Sequence, residues 1–168
     1  MKTAAFLGSL VVLLTLGAEP SRAQALLSGK PVVQHASVTP SASATSASPG
    51  ARIALHADVR PDRSIHIYGE GAKDFSPVRL VLTPNASITP GKPIYPKPTP
   101  IEVPGTPDKV PAYSAPFRIS VPVSVARTAR PGDTVTIGAA LNYQACDDSV
   151  CYPVTVAPVL WTVTIASR

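Results

Sequence analysis

Short runs of alternating apolar and polar residues, separated by prolines and turn residues, most limit how this chain can fold. In residues 52–59 the apolar side chains fall on every second position, from Ile53 to Val59. A period of two is typical of a half-buried β-strand. Further strand-like runs occur at residues 64–68, 78–82, 117–123, 134–143 and 155–165. Because no stretch has a helical period, the sequence predicts an all-β protein, an immunoglobulin-like β-sandwich of about seven strands.

A proline-rich segment interrupts this pattern. Residues 84–116 contain ten prolines in 33 positions. Proline fixes φ and cannot donate a backbone hydrogen bond, so the sequence predicts a long loop with no regular strand or helix. The loop is expected to lie over the domain surface, partly as polyproline II. It is either an inert surface loop or a lid over a site.

The first 50 residues predict two segments outside the sandwich. Lys2, an apolar run to Ala18 and small residues around Ala23 and Ala25 are typical of a secretory signal peptide, residues 1–23. The apolar run is shorter than the ~20 residues that a membrane-spanning helix needs, so we expect no stable membrane insertion after cleavage. Residues 24–50 are rich in Ser, Ala and Pro and predict a disordered linker. The sandwich domain is then expected to occupy residues 51–168.

Several function classes are disfavoured by composition. The net charge is +5, but the basic residues are scattered singly, which argues against a nucleic-acid-binding face. No nucleophile elbow, phosphate-binding glycine loop or HExxH motif is present. The three histidines, His35, His56 and His66, are isolated in sequence, and the only methionine is the first residue. We therefore predict no cofactor and no metal site. A metal-handling accessory domain is kept as a lesser alternative, which requires His56 or His66 to lie near the sulfurs.

The two cysteines, Cys146 and Cys151, lie at the ends of a short loop between two strand-like runs. Directly opposite residues of antiparallel strands are about 4.5–5.5 Å apart, within the range that a disulfide requires. The pair can therefore close, either as a structural staple or as a redox pair. Asp147 and Asp148 destabilise a nearby thiolate, and no helix N-terminus offsets them. Such a dithiol is expected to react chiefly in a complex with a partner.

A family resemblance bears on this choice. The run Tyr143–Pro153, YQACDDSVCYP, resembles the signature of the N-terminal periplasmic domain of the thiol:disulfide interchange protein DsbD. Residues 65–68 and 110–113 are similar to tyrosine-containing segments of that domain. The resemblance covers roughly residues 50–166. One departure is Val154, which stands where the family has a second proline.

The resemblance implies an immunoglobulin-like fold and thiol–disulfide exchange. Cys146 and Cys151 correspond to the redox pair, and Cys151 to the cysteine that forms the mixed disulfide. The partners implied are periplasmic thioredoxin-like proteins, such as disulfide isomerases and cytochrome c maturation factors. No membrane domain follows the predicted sandwich, so we expect a separate membrane thiol transporter as the electron donor. The implied location is the periplasm.

The resemblance also suggests further residues at the site. A loop caps the redox pair in that family, and residues 91–101, with Tyr95, fall in the matching region. His66, Tyr68 and Tyr143 are the other residues expected to line the site. The alternative reading is a non-enzymatic periplasmic binding or accessory module whose Cys146–Cys151 disulfide is structural.

Overall fold

The computed structural model describes residues 33–167. The predicted signal peptide and residues 24–32 of the predicted linker lie outside this range. Within it the chain forms strands and no helix, and so contains no helix that could cross a membrane. The strands are β1 (Ala36–Ala42), β2 (Ser46–Ala47), β3 (Arg52–Pro61), β4 (His66–Tyr68), β5 (Arg79–Leu82), β6 (Ile88–Pro90), β7 (Thr99–Ile101), β8 (Val110–Tyr113), β9 (Phe117–Val125), β10 (Thr134–Tyr143), β11 (Ala145–Cys146) and β12 (Thr155–Ile165).

Two four-stranded sheets form the sandwich, with strand orders β1-β3-β9-β6 and β2-β12-β10-β5. Neighbouring strands are antiparallel except β2 and β12, which are parallel. Alternation along the long strands points one apolar face of each sheet into a shared core, where Leu55 and Ile137 are fully buried. The Trp161 indole of β12 donates a hydrogen bond to the His56 carbonyl of β3 at 2.8 Å. The predicted all-β, immunoglobulin-like sandwich is confirmed.

A third sheet, with strand order β11-β4-β8-β7, is built from strands of only two to four residues. It carries Cys146 at the end of β11. Around it lies a second hydrophobic cluster, separate from the sandwich core, made of Tyr68, Ala72, Val110, Ala112 and Cys146. The third sheet therefore positions the cysteines, while the sandwich supplies most of the buried surface.

The predicted disordered linker is wrong for residues 36–47. Strand β1 pairs with β3 along its whole length, from Ala36 opposite Pro61 to Ala42 opposite Leu55. Strand β2 pairs with the end of β12. The small side chains of this segment bury little surface themselves, but the ladder satisfies their backbone groups, and Ala36 and Ala47 pack on the core. Pairing with a distant strand thus overrides a composition that favours disorder.

The prediction of no regular strand in residues 84–116 is also wrong, since β6, β7 and β8 lie there. Strands β6 and β7 are at the edges of their sheets, where proline is tolerated. Proline lacks a backbone N–H but keeps its carbonyl. The carbonyl of Pro111 in β8 accepts a hydrogen bond from the Gly69 N–H at 2.9 Å.

Candidate active site

The cysteine loop extends from the end of the longest antiparallel pair in the sandwich. Tyr143, the last residue of β10, lies opposite Thr155, the first residue of β12. Between them, Cys146 and Cys151 form an antiparallel bridge and are joined by a disulfide, with Cα atoms 4.1 Å apart. The predicted geometry, a hairpin closed by its two cysteines, is confirmed.

Asp147 organises the turn between the cysteines. One carboxylate oxygen accepts hydrogen bonds from the backbone N–H groups of Ser149 and Val150, both at 2.8 Å. The other accepts from the Tyr152 hydroxyl at 2.8 Å. These donors, led by the two backbone N–H groups, lower the pKa of Asp147 below its usual 3.8. The loop is thus folded around the carboxylate of the residue that directly follows Cys146, and hydrogen bonds to it favour its ionised form.

The two cysteines differ in accessibility. Cys146 is 1% exposed and lies within the small hydrophobic cluster of the third sheet. Cys151 is an exposed residue. Exchange with another protein requires an accessible sulfur, and the second sulfur needs only to reach the first. Cys151 is therefore the more accessible cysteine of the pair.

His66 and Tyr68 of β4 lie beside the disulfide. The Tyr68 hydroxyl is 3.7 Å from Cys151 Sγ, and His66 Nε2 is 3.3 Å from the same hydroxyl. His66 is directly opposite Cys146 across the β4–β11 pair. Burial raises the pKa of Tyr68. Burial also lowers the pKa of His66, against the opposing effect of Asp148 and Asp147.

Phe75, which stacks on Tyr68, was not predicted from the sequence. It lies in the loop between β4 and β5, and its ring stacks on Tyr68 with centroids 4.0 Å apart and planes 20° apart. Gly71, with φ of +95°, provides the left-handed turn that this loop needs. The loop has no periodicity, so the only available signal was a single aromatic residue among Gly, Lys, Asp and Ser shortly after the tyrosine-containing strand.

The predicted cap, residues 91–101, is corrected by this geometry. Its last residue, Ile101, packs on the small cluster, together with Val103 and Phe75. Tyr95, however, packs on the sandwich core, and its hydroxyl accepts a hydrogen bond from the Leu80 N–H at 2.9 Å. The aromatic ring that packs on Tyr68, beside the disulfide, is therefore Phe75, and Tyr95 lies elsewhere.

Tyr143 lies in the sandwich core beneath the cysteine loop and does not line the site. Its ring is fully buried in the sandwich core. Its hydroxyl donates to Gln34 Oε1 at 3.1 Å and accepts from the His35 N–H at 3.3 Å. The His35 ring stacks in turn on Tyr152, with centroids 3.7 Å apart. The segment before β1 thereby holds the base of the cysteine loop.

No cluster of three His, Cys, Asp or Glu side chains suited to a metal ion occurs among residues 33–167. His56 instead shares a 2.9 Å hydrogen bond, through Nδ1, with the Ser120 hydroxyl. His66 shares a hydrogen bond, through Nε2, with the Tyr68 hydroxyl. The described part of the chain therefore offers no set of ligands that would support the lesser alternative, a metal-handling domain.

Comparison with known proteins points to one family. The model of the family "Thiol:disulfide interchange protein DsbD, N-terminal" matches residues 34–160. The crystal structure of the N-terminal periplasmic domain of ScsB from Proteus mirabilis superposes with a TM-score of 0.52 at 14% identity. That match covers 82% of this chain and 49% of the other, so this chain spans about half the length of the ScsB domain.

A second solved structure, the reduced DsbD N-terminal domain of Neisseria meningitidis, has a TM-score of 0.42 at 16% identity. It covers 77% of this chain and 86% of that one. A search of curated proteins finds no match. At these identities the ScsB structure supports the fold, and the family match extends over most of the described residues.

Proposed function

Because the chain belongs to the family of N-terminal domains of the thiol:disulfide interchange protein DsbD, we propose that it carries electrons between proteins through the Cys146–Cys151 pair. Membership of the family and the disulfide support thiol–disulfide interchange in general. The particular proposal is that the reduced pair passes two electrons to thioredoxin-like proteins. The single observation that carries it is the pairing of a buried Cys146 with an exposed Cys151 in one disulfide.

The proposed reaction has two steps. The Cys151 thiolate attacks one sulfur of the partner's disulfide, which forms a mixed disulfide and releases the other partner sulfur as a thiolate. Cys146 then attacks Cys151 Sγ, which restores the Cys146–Cys151 disulfide and releases the second partner sulfur. Two electrons and two protons pass to the partner. The exposed cysteine meets the partner and the buried one completes the exchange.

The cover over Tyr68 fits this role. Phe75 and the loop that carries it pack over the side chain that contacts Cys151 Sγ. Phe75 packs against the cluster that contains Cys146, so it is proposed to limit contact between that sulfur and small oxidants until a docking protein displaces it. Carboxylates at positions 147 and 148 add to this effect, because they disfavour the thiolate until a partner binds.

Location and electron source complete the proposal. The ScsB domain is described as periplasmic, and residues 1–23 have the pattern of a signal peptide, so we place this domain in the periplasm. Its electrons are proposed to come from a membrane thiol transporter and to go to periplasmic thioredoxin-like proteins. Those involved in cytochrome c maturation are one such class.

A second candidate function is a binding module in which the disulfide is a staple. It is favoured by exposed apolar side chains on the outer face of the β2-β12-β10-β5 sheet, namely Val81, Val156 and Leu160. Such a face can contact another protein without any exchange chemistry.

The two functions differ in a reconstituted exchange assay. Reduced protein is mixed with a purified, oxidised thioredoxin-like protein, and the partner's free thiols are counted. The wild type is expected to reduce the partner, and Cys151→Ala is expected to be inactive. Cys146→Ala is expected to accumulate a disulfide-linked complex on a non-reducing gel, with Cys146→Ala/Cys151→Ala as the control. No reduction of the partner and no complex would support the binding module instead.

A further inference from the structure

The disulfide site contains a connected set of polar groups that the exchange steps above do not use. Cys151 Sγ, the Tyr68 hydroxyl and His66 Nε2 follow one another at 3.7 and 3.3 Å. His66 and Tyr68 both lie in β4, a three-residue strand that is buried at every position. Burying an imidazole and a phenol beside each other costs free energy that an apolar pair would not. Their place next to the exposed cysteine therefore calls for a chemical explanation.

Reduced Cys151 must lose a proton before it can attack. A thiolate here is disfavoured, because Asp147 and Asp148 lie in the same short loop and residues 33–167 offer no helix N-terminus to stabilise it. Burial disfavours the charged form of His66, and these carboxylates oppose that effect, since negative charge stabilises an imidazolium. Glu102 lines the same small pocket as His66 and Asp148, and its carboxylate is paired with Lys109 at 3.4 Å. The titratable and charged groups around His66 are thus Tyr68, Cys146, Asp147, Asp148 and the Glu102–Lys109 pair.

We propose that His66 accepts the Cys151 proton through the Tyr68 hydroxyl, as the general base of the exchange reaction. This inference rests on the exchange function proposed above. As the S–H proton passes to the Tyr68 oxygen, the Tyr68 proton passes to His66 Nε2, so the tyrosine is unchanged. The thiolate then attacks the partner disulfide. His66 then holds one proton of the pair, and the two aspartates offset part of the burial that disfavours its charged form.

The proton is returned in the second step. When Cys146 attacks Cys151 Sγ, the partner sulfur leaves from a position bonded to Cys151, and the His66 proton is transferred to it through Tyr68. The Cys146 proton goes to the first released partner sulfur by way of solvent. Two thiols are consumed and two are formed. A pocket of about 320 Å³, lined in part by His66, Ser64 and Ser114, allows His66 to re-equilibrate with solvent.

The test uses a single reactive thiol and a small neutral disulfide. In a Cys146→Ala background, the rate of mixed-disulfide formation between Cys151 and 2-hydroxyethyl disulfide is followed by mass spectrometry from pH 5 to 10. Two variants interrupt the relay. Tyr68→Phe removes the bridging hydroxyl, and His66→Gln retains a hydrogen-bonding group that cannot take up the proton. His56→Gln, on the neighbouring sandwich strand β3, is the control.

We expect both relay variants to react about 100-fold more slowly than the Cys146→Ala parent near pH 7, the lower end of general-base contributions. At pH 10 hydroxide removes the proton directly, so all the profiles should converge. His56→Gln should follow the parent throughout. Circular dichroism checks that each variant is folded.

Other outcomes separate the two proposals. If either relay variant matches the parent at pH 7, or is slowed equally at pH 7 and pH 10, the relay is overturned and the exchange function stands. If the parent itself forms no mixed disulfide at any pH, the exchange function and the relay fail together.

Discussion

The sandwich and the third sheet are built on different principles. Strands β3, β9, β10 and β12 are nine to eleven residues long and alternate buried with less buried positions along their length. The third sheet has strands of two to four residues, and β4 is buried at every position, including His66 and Tyr68. The sandwich is stabilised by burial of apolar surface. The third sheet keeps polar groups buried where the cysteines are, so chemistry and stability are largely carried by separate regions.

The largest expected effect lies in the sandwich. Ile137 is fully buried and opposite Trp161, so Ile137→Ala should lower the free energy of unfolding by about 2–5 kcal/mol. Urea denaturation measures this loss. Below the denaturation midpoint, the variant should still exchange thiols at the wild-type rate. A folded Ile137→Ala protein with impaired exchange would show that the two regions are not separable.

Breaking the disulfide should lower the free energy of unfolding by less than Ile137→Ala does. The cysteines are only five residues apart, and closure of so short a loop stabilises a protein by about 2 kcal/mol in the chain-entropy description. The measurement compares urea denaturation of oxidised protein with that of protein kept reduced by dithiothreitol, with Cys146→Ala/Cys151→Ala as the control. Global unfolding upon reduction would make the bridge a staple and remove the contrast between the regions.

A matched pair of aromatic stacks sharpens the comparison. Phe75 stacks on Tyr68 beside the disulfide, and Phe117 stacks on Tyr113 at the same centroid distance, 4.0 Å. Phe75→Ala should lose about 1 kcal/mol of stacking and should speed reduction of the disulfide by dithiothreitol severalfold. Phe117→Ala should lower stability but leave the reduction rate unchanged. Equal reduction rates for wild type and Phe75→Ala would contradict a covering role for Phe75.

The smallest expected effect is a local response to acid. The folded state lowers the pKa of Asp147 below its usual 3.8, because the Ser149 and Val150 N–H groups, and then Tyr152, bind the carboxylate. The contribution of Asp147 is therefore present above pH 3.8 and is lost as the pH falls through the lower, folded value. Amide proton shifts of Ser149 and Val150 should report this titration by NMR.

Asp147→Asn provides the control for that titration. The asparagine still accepts hydrogen bonds but does not titrate, so the acid-dependent shifts should disappear. Shifts that persist in Asp147→Asn would assign the transition to another group. Asp58 of β3 also has a lowered pKa, through its hydrogen bond with Arg118, so its neighbours titrate separately. Sandwich amides distant from Asp58 should show no matching change in either protein.

The same contrast explains what the sequence could predict. Alternation predicted the strands that became β3, β9, β10 and β12, because a period of two reflects one buried face. The cysteine spacing predicted the closed hairpin, since both cysteines lie within one local turn. Strand β1 could not be predicted, because its Ser- and Ala-rich residues become a strand only by pairing with β3. Phe75 could not be predicted either, since its stacking on Tyr68 depends on how an aperiodic loop folds back.

The most direct test of the central claim is the reduction potential of the Cys146–Cys151 pair. Purified protein is equilibrated in glutathione or dithiothreitol buffers, and free thiols are trapped and counted. Structural disulfides typically lie below about −300 mV, whereas exchange-active pairs lie above it. The account predicts a value of about −200 to −250 mV. A value well below about −300 mV, with a large loss of stability upon reduction, would contradict an electron-carrying role.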